Sequence, residues 1–319
     1  MAEHQGLLSG GWIRVGHNKR YILWFYVLNV TLAWFGASAF DGHAHKILDH
    51  SLLAASLLHG FDVATLTEML ARPEFGPKMA SAEPAGYFAA FFFLLTALFL
   101  PGVLQGYAST YRLPREDFFR ACGRNLWRFI RLTIVAGALM GTIAGGMYFI
   151  RDLPSAAGEL STNELLPFYI SMASLIVIFL LMTTLRIAFD LAQTDLVLSD
   201  QGPVRKSIGA GFRHMWRNLG RLLGSYVVAT IVALFLLVLG LWIWMKFVPP
   251  ASVFGGVVVS QLTLLLLLIP RFWQRGVAVT YYLQNMVEPI AVRSFAQVPV
   301  VAVNEPRPAP GNASPEPQA

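Results

Sequence analysis

The sequence predicts an all-α, polytopic integral membrane protein: six transmembrane helices arranged as three hairpins, with amphipathic elbow helices on the cytoplasmic side. Three observations predict it. Hydrophobic residues make up 55% of the 319 and charged residues 13%, whereas a water-soluble surface needs roughly 25% charged residues. Six apolar stretches are long enough to cross a hydrocarbon core, which takes about 20 residues at 1.5 Å rise each. Finally, Lys and Arg cluster in alternate connections, as the positive-inside rule requires.

Residues 1–20 read as a cytoplasmic segment, 21–285 as the membrane domain and 286–319 as a disordered cytoplasmic tail rich in Pro and Ala. The spans fall at 22–40, 87–107, 129–150, 166–189, 222–247 and 253–269. The last extends toward Tyr282 if the helix passes Pro270, and Arg271 and Arg275 must then snorkel or face protein. Residues 41–86 form the largest external segment, with helical stretches at 47–58 and 63–70 separated at Gly60. The short turn at 248–252 makes the fifth and sixth spans antiparallel neighbours.

Orientation follows from charge. With both termini inside, all but Lys46, Arg72, Lys78, Arg151 and Lys246 of the 24 basic residues lie on the cytoplasmic side. Formal charge is +6 and the pI is about 9.6; with mean hydropathy +0.56, the excess is assigned to a membrane surface and no nucleic-acid partner is expected. A rival reading makes Lys19-Arg20, the first apolar run and Ala37-Ser38-Ala39 a cleaved signal peptide. The run exceeds the usual 7–15 residues, which favours an uncleaved span.

Two connections share Phe-Arg-x3-Arg-Asn-Leu-x-Arg, at 119–128 and 212–221, and a degraded copy runs from Trp12-Ile13-Arg14 to Asn18-Lys19-Arg20. Arginine every fourth residue forms one stripe on a helix. Arg120, Arg124, Arg128, Arg213, Arg217 and Arg221 are therefore candidate contacts to anionic lipid headgroups, beside the simpler role of anchoring topology.

Other constellations are thinner. Gly137, Gly141 and Gly145 mark a close-packing groove toward another span or a second subunit. His43, His45 and His50 are weak candidate metal ligands, the first two ahead of the 47–58 helix, with no His-Glu-x-x-His base. Arg186 and Asp190, four apart at the cytoplasmic end of the fourth span, read as an interfacial ion pair. No carboxylate falls mid-span, which disfavours a proton-coupled pump. Cys122 is the single cysteine, so no internal disulfide forms. Phosphate-loop and Gly-x-Ser-x-Gly signatures are missing, and no cofactor is expected.

The run Asp190-Leu-Ala-Gln-Thr-Asp195-Leu-Val-Leu, the turn from Ser199 to Pro203 and the Arg-rich helix after it resemble a recurrent pattern in uncharacterised six-span bacterial membrane proteins. Those are similar to the membrane domain associated with glycerophosphodiester phosphodiesterases. The resemblance covers 186–226 and, through the repeat, 112–135. It implies six-span architecture and residence in the bacterial inner membrane, without the catalytic domain. The leading expectation is a non-enzymatic structural, partner-binding or lipid-interacting module, with membrane lipids and a protein partner or second copy as candidate partners. A transporter of a lipidic or weakly polar solute and a membrane enzyme using the external histidines are the alternatives.

Overall fold

In the computed structural model the described residues are 6–48, 83–109, 111–151, 165–199, 203–249 and 252–287; side chains at 36–48, 83–86, 88–89, 147–151, 166–167 and 253 are outside the description. The expected helix at 63–70, all but residues 47–48 of the one at 47–58, and the tail from 288 onward lie outside the described residues.

Eight helices and no strand occur among the described residues: α1 (Leu7–His17), α2 (Arg20–Leu48), α3 (Glu83–Ala108), α4 (Arg115–Arg151), α5 (Leu166–Leu198), α6 (Val204–Arg217), α7 (Leu219–Phe247) and α8 (Val253–Asn285). Five of them contain stretches long and apolar enough to cross a membrane: Ala90–Ala108, Arg115–Gly146, Phe168–Leu198, Leu219–Phe247 and Phe254–Asn285. Only 6–44% of the most apolar window in each is buried inside the protein. Uncovered apolar surface costs roughly 25 cal/mol per Å² in water, so these helices need lipid as their solvent, and the chain is a helical membrane protein.

Several boundaries differ from the sequence reading. Helix α2 covers the first expected span and runs on to Leu48, into the expected external segment. Gly42 is the weakest helix former between Phe40 and Leu48, and one interior glycine costs only about 1 kcal/mol. Pro84 is accommodated in the first turn of α3, where its missing N–H has no intrahelical acceptor anyway. Helix α8 continues through Pro270.

The repeat is not structurally uniform. At Asn18 the chain breaks between α1 and α2, and at Asn218 between α6 and α7, with nearly identical dihedrals (φ −116°, ψ 33° and φ −128°, ψ 32°). Each Asn N–H turns back to two carbonyls of the preceding helix, Arg14 and Val15 in one case, His214 and Met215 in the other. The third copy does not break. Asn125 lies inside the 37-residue α4 and donates its amide to Ala121 O one turn back, so the expected separate elbow helix there is the arginine-rich end of the long helix itself. The degraded copy of the motif thus keeps the elbow that one of the good copies lacks.

Packing is concentrated at the arginine-rich end of the bundle. On α4 the buried residues Phe118, Cys122, Asn125, Phe129, Leu132 and Ala136 alternate by four and three as in a coiled-coil seam, with Ala121 buried beside them. On α3 the buried residues begin at Ala97 and on α8 at Leu268. Helix α3 packs against α4 more extensively than α2 packs on α3 or α4 on α5, and α8 touches α1, α2, α3 and α5 as well as α7. The six long helices form one interlocked bundle at this end, not three self-contained hairpins.

Helix α1 belongs to that bundle although residues 1–20 were read as a segment outside it. It crosses α8 backbone to backbone: a Cβ on Gly11 would stand 2.8 Å from Val277 N, and one on Gly276 would stand 2.6 Å from Gly11 O. Only residues without side chains permit that approach.

Candidate functional site

Each charge inside an apolar span costs about 2.5–3.5 kcal/mol at the membrane centre unless it is compensated. Charged groups that the fold nevertheless brings together within spans are therefore the first place to look for function. One such group forms where α5, α7 and α8 meet.

Helix α5 carries Arg186 and Asp190 four residues apart, on one face by helical geometry. Arg186 Nε lies 3.8 Å from Asp190 Oδ2, with the arginine side chain partly exposed and the carboxylate nearly buried. The Tyr226 hydroxyl, fully buried on α7, donates to the same Oδ2 at 2.9 Å. Helix α8 continues past Pro270 and adds two more guanidinium groups, Arg271 and Arg275, one turn apart; both lie within electrostatic reach of Asp190 and Arg186. Arg271 is exposed and Arg275 only 9% exposed, with its guanidinium carbon 5.5 Å from the Phe272 ring centroid. Gln274, between them, donates to Tyr226 O at 3.3 Å and to Thr230 Oγ1 at 3.1 Å, tying α8 to α7.

Among the described residues this cluster holds three guanidinium groups and a single carboxylate. Arg275 Nε is buried without a hydrogen-bond partner, as are Thr96 Oγ1 and the Tyr107 hydroxyl. A small cavity of about 10 Å³, lined by Asn29, Thr96, Arg271 and Arg275 among others, opens beside it.

The interfacial ion pair read from sequence is therefore present as a contact but sits in a larger setting. Tyr226 and Arg275 were missed as its companions. The available signal was Arg271 and Arg275 one turn apart in a run that stays apolar to Tyr282, which requires each to snorkel or face protein.

The headgroup candidates divide between two contexts. Arg213, Arg217 and Arg221 are exposed across the α6–α7 elbow. Helix α6 buries Ser207, Gly211 and Met215, every fourth residue, and leaves its basic face open. On α4, Arg120 is exposed and bridged to Glu116 at 2.6 Å and Asp117 at 3.5 Å. Exposed pairs of this kind contribute roughly 0–1 kcal/mol. Arg120 and Arg124 line a cavity of about 340 Å³ with Gln105, Asp117, Asn125 and Val197; Arg128 lies one turn farther along α4.

Polar side chains of the first elbow serve structure instead. The last four carbonyls of a helix have no intrahelical donor, and Arg14 Nη1 reaches Tyr107 O at 2.6 Å while Asn18 Nδ2 reaches Gly106 O at 3.3 Å at the end of α3. Burial pushes the Arg14 pKa down. At the other elbow, His214 is held below the ordinary imidazole value, first by burial and then by Arg217 and Arg213.

No protein family, curated protein or solved structure matches this chain. Its site must be read from geometry alone.

Two further expectations meet the structure differently. Gly137, Gly141 and Gly145 lie on an exposed face of α4, where an added Cβ would meet nothing within 4 Å. Close approach occurs elsewhere, at Gly11 and Gly276, at Gly102 against Phe118 and Cys122, and at Gly211 against Ala188 and Ala192. The backbones of His43 and His45 belong to α2, not to a loop ahead of a helix, because α2 does not end at Phe40. Their side chains, and His50 altogether, lie outside the described residues. Among the described residues no three His, Cys, Asp or Glu groups converge as a metal site.

Proposed function

We propose that this chain is a multi-pass protein of the bacterial inner membrane, crossing it six times with both termini inside, and that it acts as a non-enzymatic lipid-interacting module. The observation that carries the reading is the polarity of the molecule. Exposed Arg213, Arg217 and Arg221 stand at the end where the helices are packed, and below them the helices present uncovered apolar faces. Helix α2, 29 residues long and apolar through its first two-thirds, is the sixth crossing.

Two lateral grooves fit the same picture. One, of about 500 Å³, lies between α2, α3 and α4 and is lined by Trp24, Val27, Leu28, Phe99, Val103 and Phe118. Another, of about 600 Å³, lies between α7 and α8. Both are apolar and open sideways, the shape that acyl chains fill. The cavity at Arg271 and Arg275 measures about 10 Å³, too small to pass a solute. The resemblance to the membrane domain associated with glycerophosphodiester phosphodiesterases agrees with this architecture and adds no activity.

Reconstitution in nanodiscs tests the lipid reading. The protein is expected to be more stable in anionic than in zwitterionic bilayers, and the triple variant Arg213→Gln, Arg217→Gln, Arg221→Gln should lose that difference, up to about 3 kcal/mol at roughly 1 kcal/mol per basic residue. Equal stability of the wild type in both bilayers would end the proposal. Alkaline phosphatase fused at residue 112 should be inactive if this connection is cytoplasmic.

A further inference from the structure

We propose that Arg186, Arg271 and Arg275 form a binding site for one phosphate oxyanion, which enters from the side of the bundle and seats one oxygen in the cavity between Arg275, Arg271, Asn29 and Thr96.

Three independent features converge on it. First, charge: three guanidinium groups share one carboxylate, which leaves two positive charges uncompensated among the described residues. In a medium of low dielectric such an excess is unfavourable and draws a counter-anion. Second, unsatisfied donors: Arg275 is more than nine-tenths buried, yet its Nε has no partner, and Thr96 Oγ1 is likewise buried and unpaired. Buried polar atoms without partners are rare and call for a missing group. Third, shape: both residues line a cavity of about 10 Å³, room for about one oxygen atom.

A water molecule would satisfy the hydrogen bonds but not the charge. An oxyanion satisfies both. Guanidinium forks match phosphate oxygens in geometry as well as sign; Arg271, exposed and lining the cavity, holds the oxygens that remain outside it, and Arg186 adds positive charge from α5. The phosphate comes either from an anionic phospholipid in the surrounding leaflet or from free phosphate. The lipid source rests on the reading of the chain as a lipid-interacting module; the oxyanion site itself does not.

The full chain, purified in mild detergent and delipidated, is tested by native mass spectrometry and thermal stability with three probes: a short-chain phosphatidylglycerol, a diacylglycerol of the same chains, and inorganic phosphate. Phosphatidylglycerol is expected to bind one to one and to raise the melting temperature, and diacylglycerol to do neither. Arg271→Gln, at an exposed position, should weaken binding about tenfold, the loss of one charge-assisted hydrogen bond. Asp190→Asn removes the competing negative charge, keeps an acceptor for Tyr226, and should tighten binding. Arg271→Gln should weaken binding equally in the background of the Arg213, Arg217, Arg221 triple variant, so failure of the surface reading leaves this result untouched. If inorganic phosphate alone stabilises the protein and Arg271→Gln abolishes that effect, the site stands and its ligand is free phosphate. Binding unchanged by Arg271→Gln, weakened by Asp190→Asn, or matched by diacylglycerol overturns the site and leaves the cavity to water.

Discussion

The two halves of the bundle both carry large apolar side chains and are packed in opposite ways. At the arginine-rich end, Phe272 on α8 is 1% exposed and sits 5.1 Å from the Phe25 ring in an edge-on contact. At the other end, Phe235 on α7 is 64% exposed. The same side chain is a core residue in one half and a lipid-facing residue in the other. The difference teaches that hydrophobicity along these helices says where the chain lives and not where it packs: lipid tails are as apolar as a protein interior, so association depends on fit and on polar contacts.

Truncating those two phenylalanines gives the largest expected contrast. Phe272→Ala should cost about 3–5 kcal/mol through the cavity it leaves, while Phe235→Ala should change stability by less than about 0.5 kcal/mol, both read from reversible unfolding in mixed micelles. Equal losses would mean that the apolar half is packed as tightly as the other. Next in size is a glycine pair. Gly276→Leu drives a side chain into the backbone of α1 at Gly11 and should cost about 2–3 kcal/mol. Gly141→Leu meets open space and should be tolerated in the isolated chain; a loss there, accompanied by a drop in oligomer mass, would show that a second copy covers this face of α4.

The smallest effect concerns pH at the α6–α7 elbow. His214 has its pKa lowered in the fold, so the folded state favours the neutral ring and the unfolded state binds more protons below the ordinary value of 6.5. Stability therefore falls as pH drops from about 6.5. The melting temperature should decline slightly between pH 7.5 and pH 5, and His214→Gln should flatten that part of the curve. A decline that persists in His214→Gln assigns it to other groups.

Much of the helical framework was legible in the residues. The stretches expected at 87–107, 129–150, 166–189, 222–247 and 253–269 all fall within long helices that carry apolar stretches long enough to span, because about 20 apolar residues in succession leave the backbone no alternative in lipid. The contact between Arg186 and Asp190 was legible too, since four-residue spacing settles it locally. Three things were not. Docking of α1 on α8 depends on Gly11 and Gly276, two glycines 265 positions apart whose meeting no local pattern announces. The continuity of α4 through Asn125 was hidden by a motif that breaks the chain at Asn218. Tyr226 and Arg275 joined the Asp190 cluster from two other helices, and single-helix spacing is silent on such meetings.

By itself the sequence determined the solvent, the helical class and the end of the molecule where positive charge gathers, because each of these depends on composition and spacing along one helix. Tertiary structure alone decided which half of each helix is covered, which glycines touch backbone and which arginines are buried together. The physical reason is that in lipid every face of a span is apolar, so the periodic contrast that would mark a buried face in water is absent, and only the shapes of distant segments select the contacts.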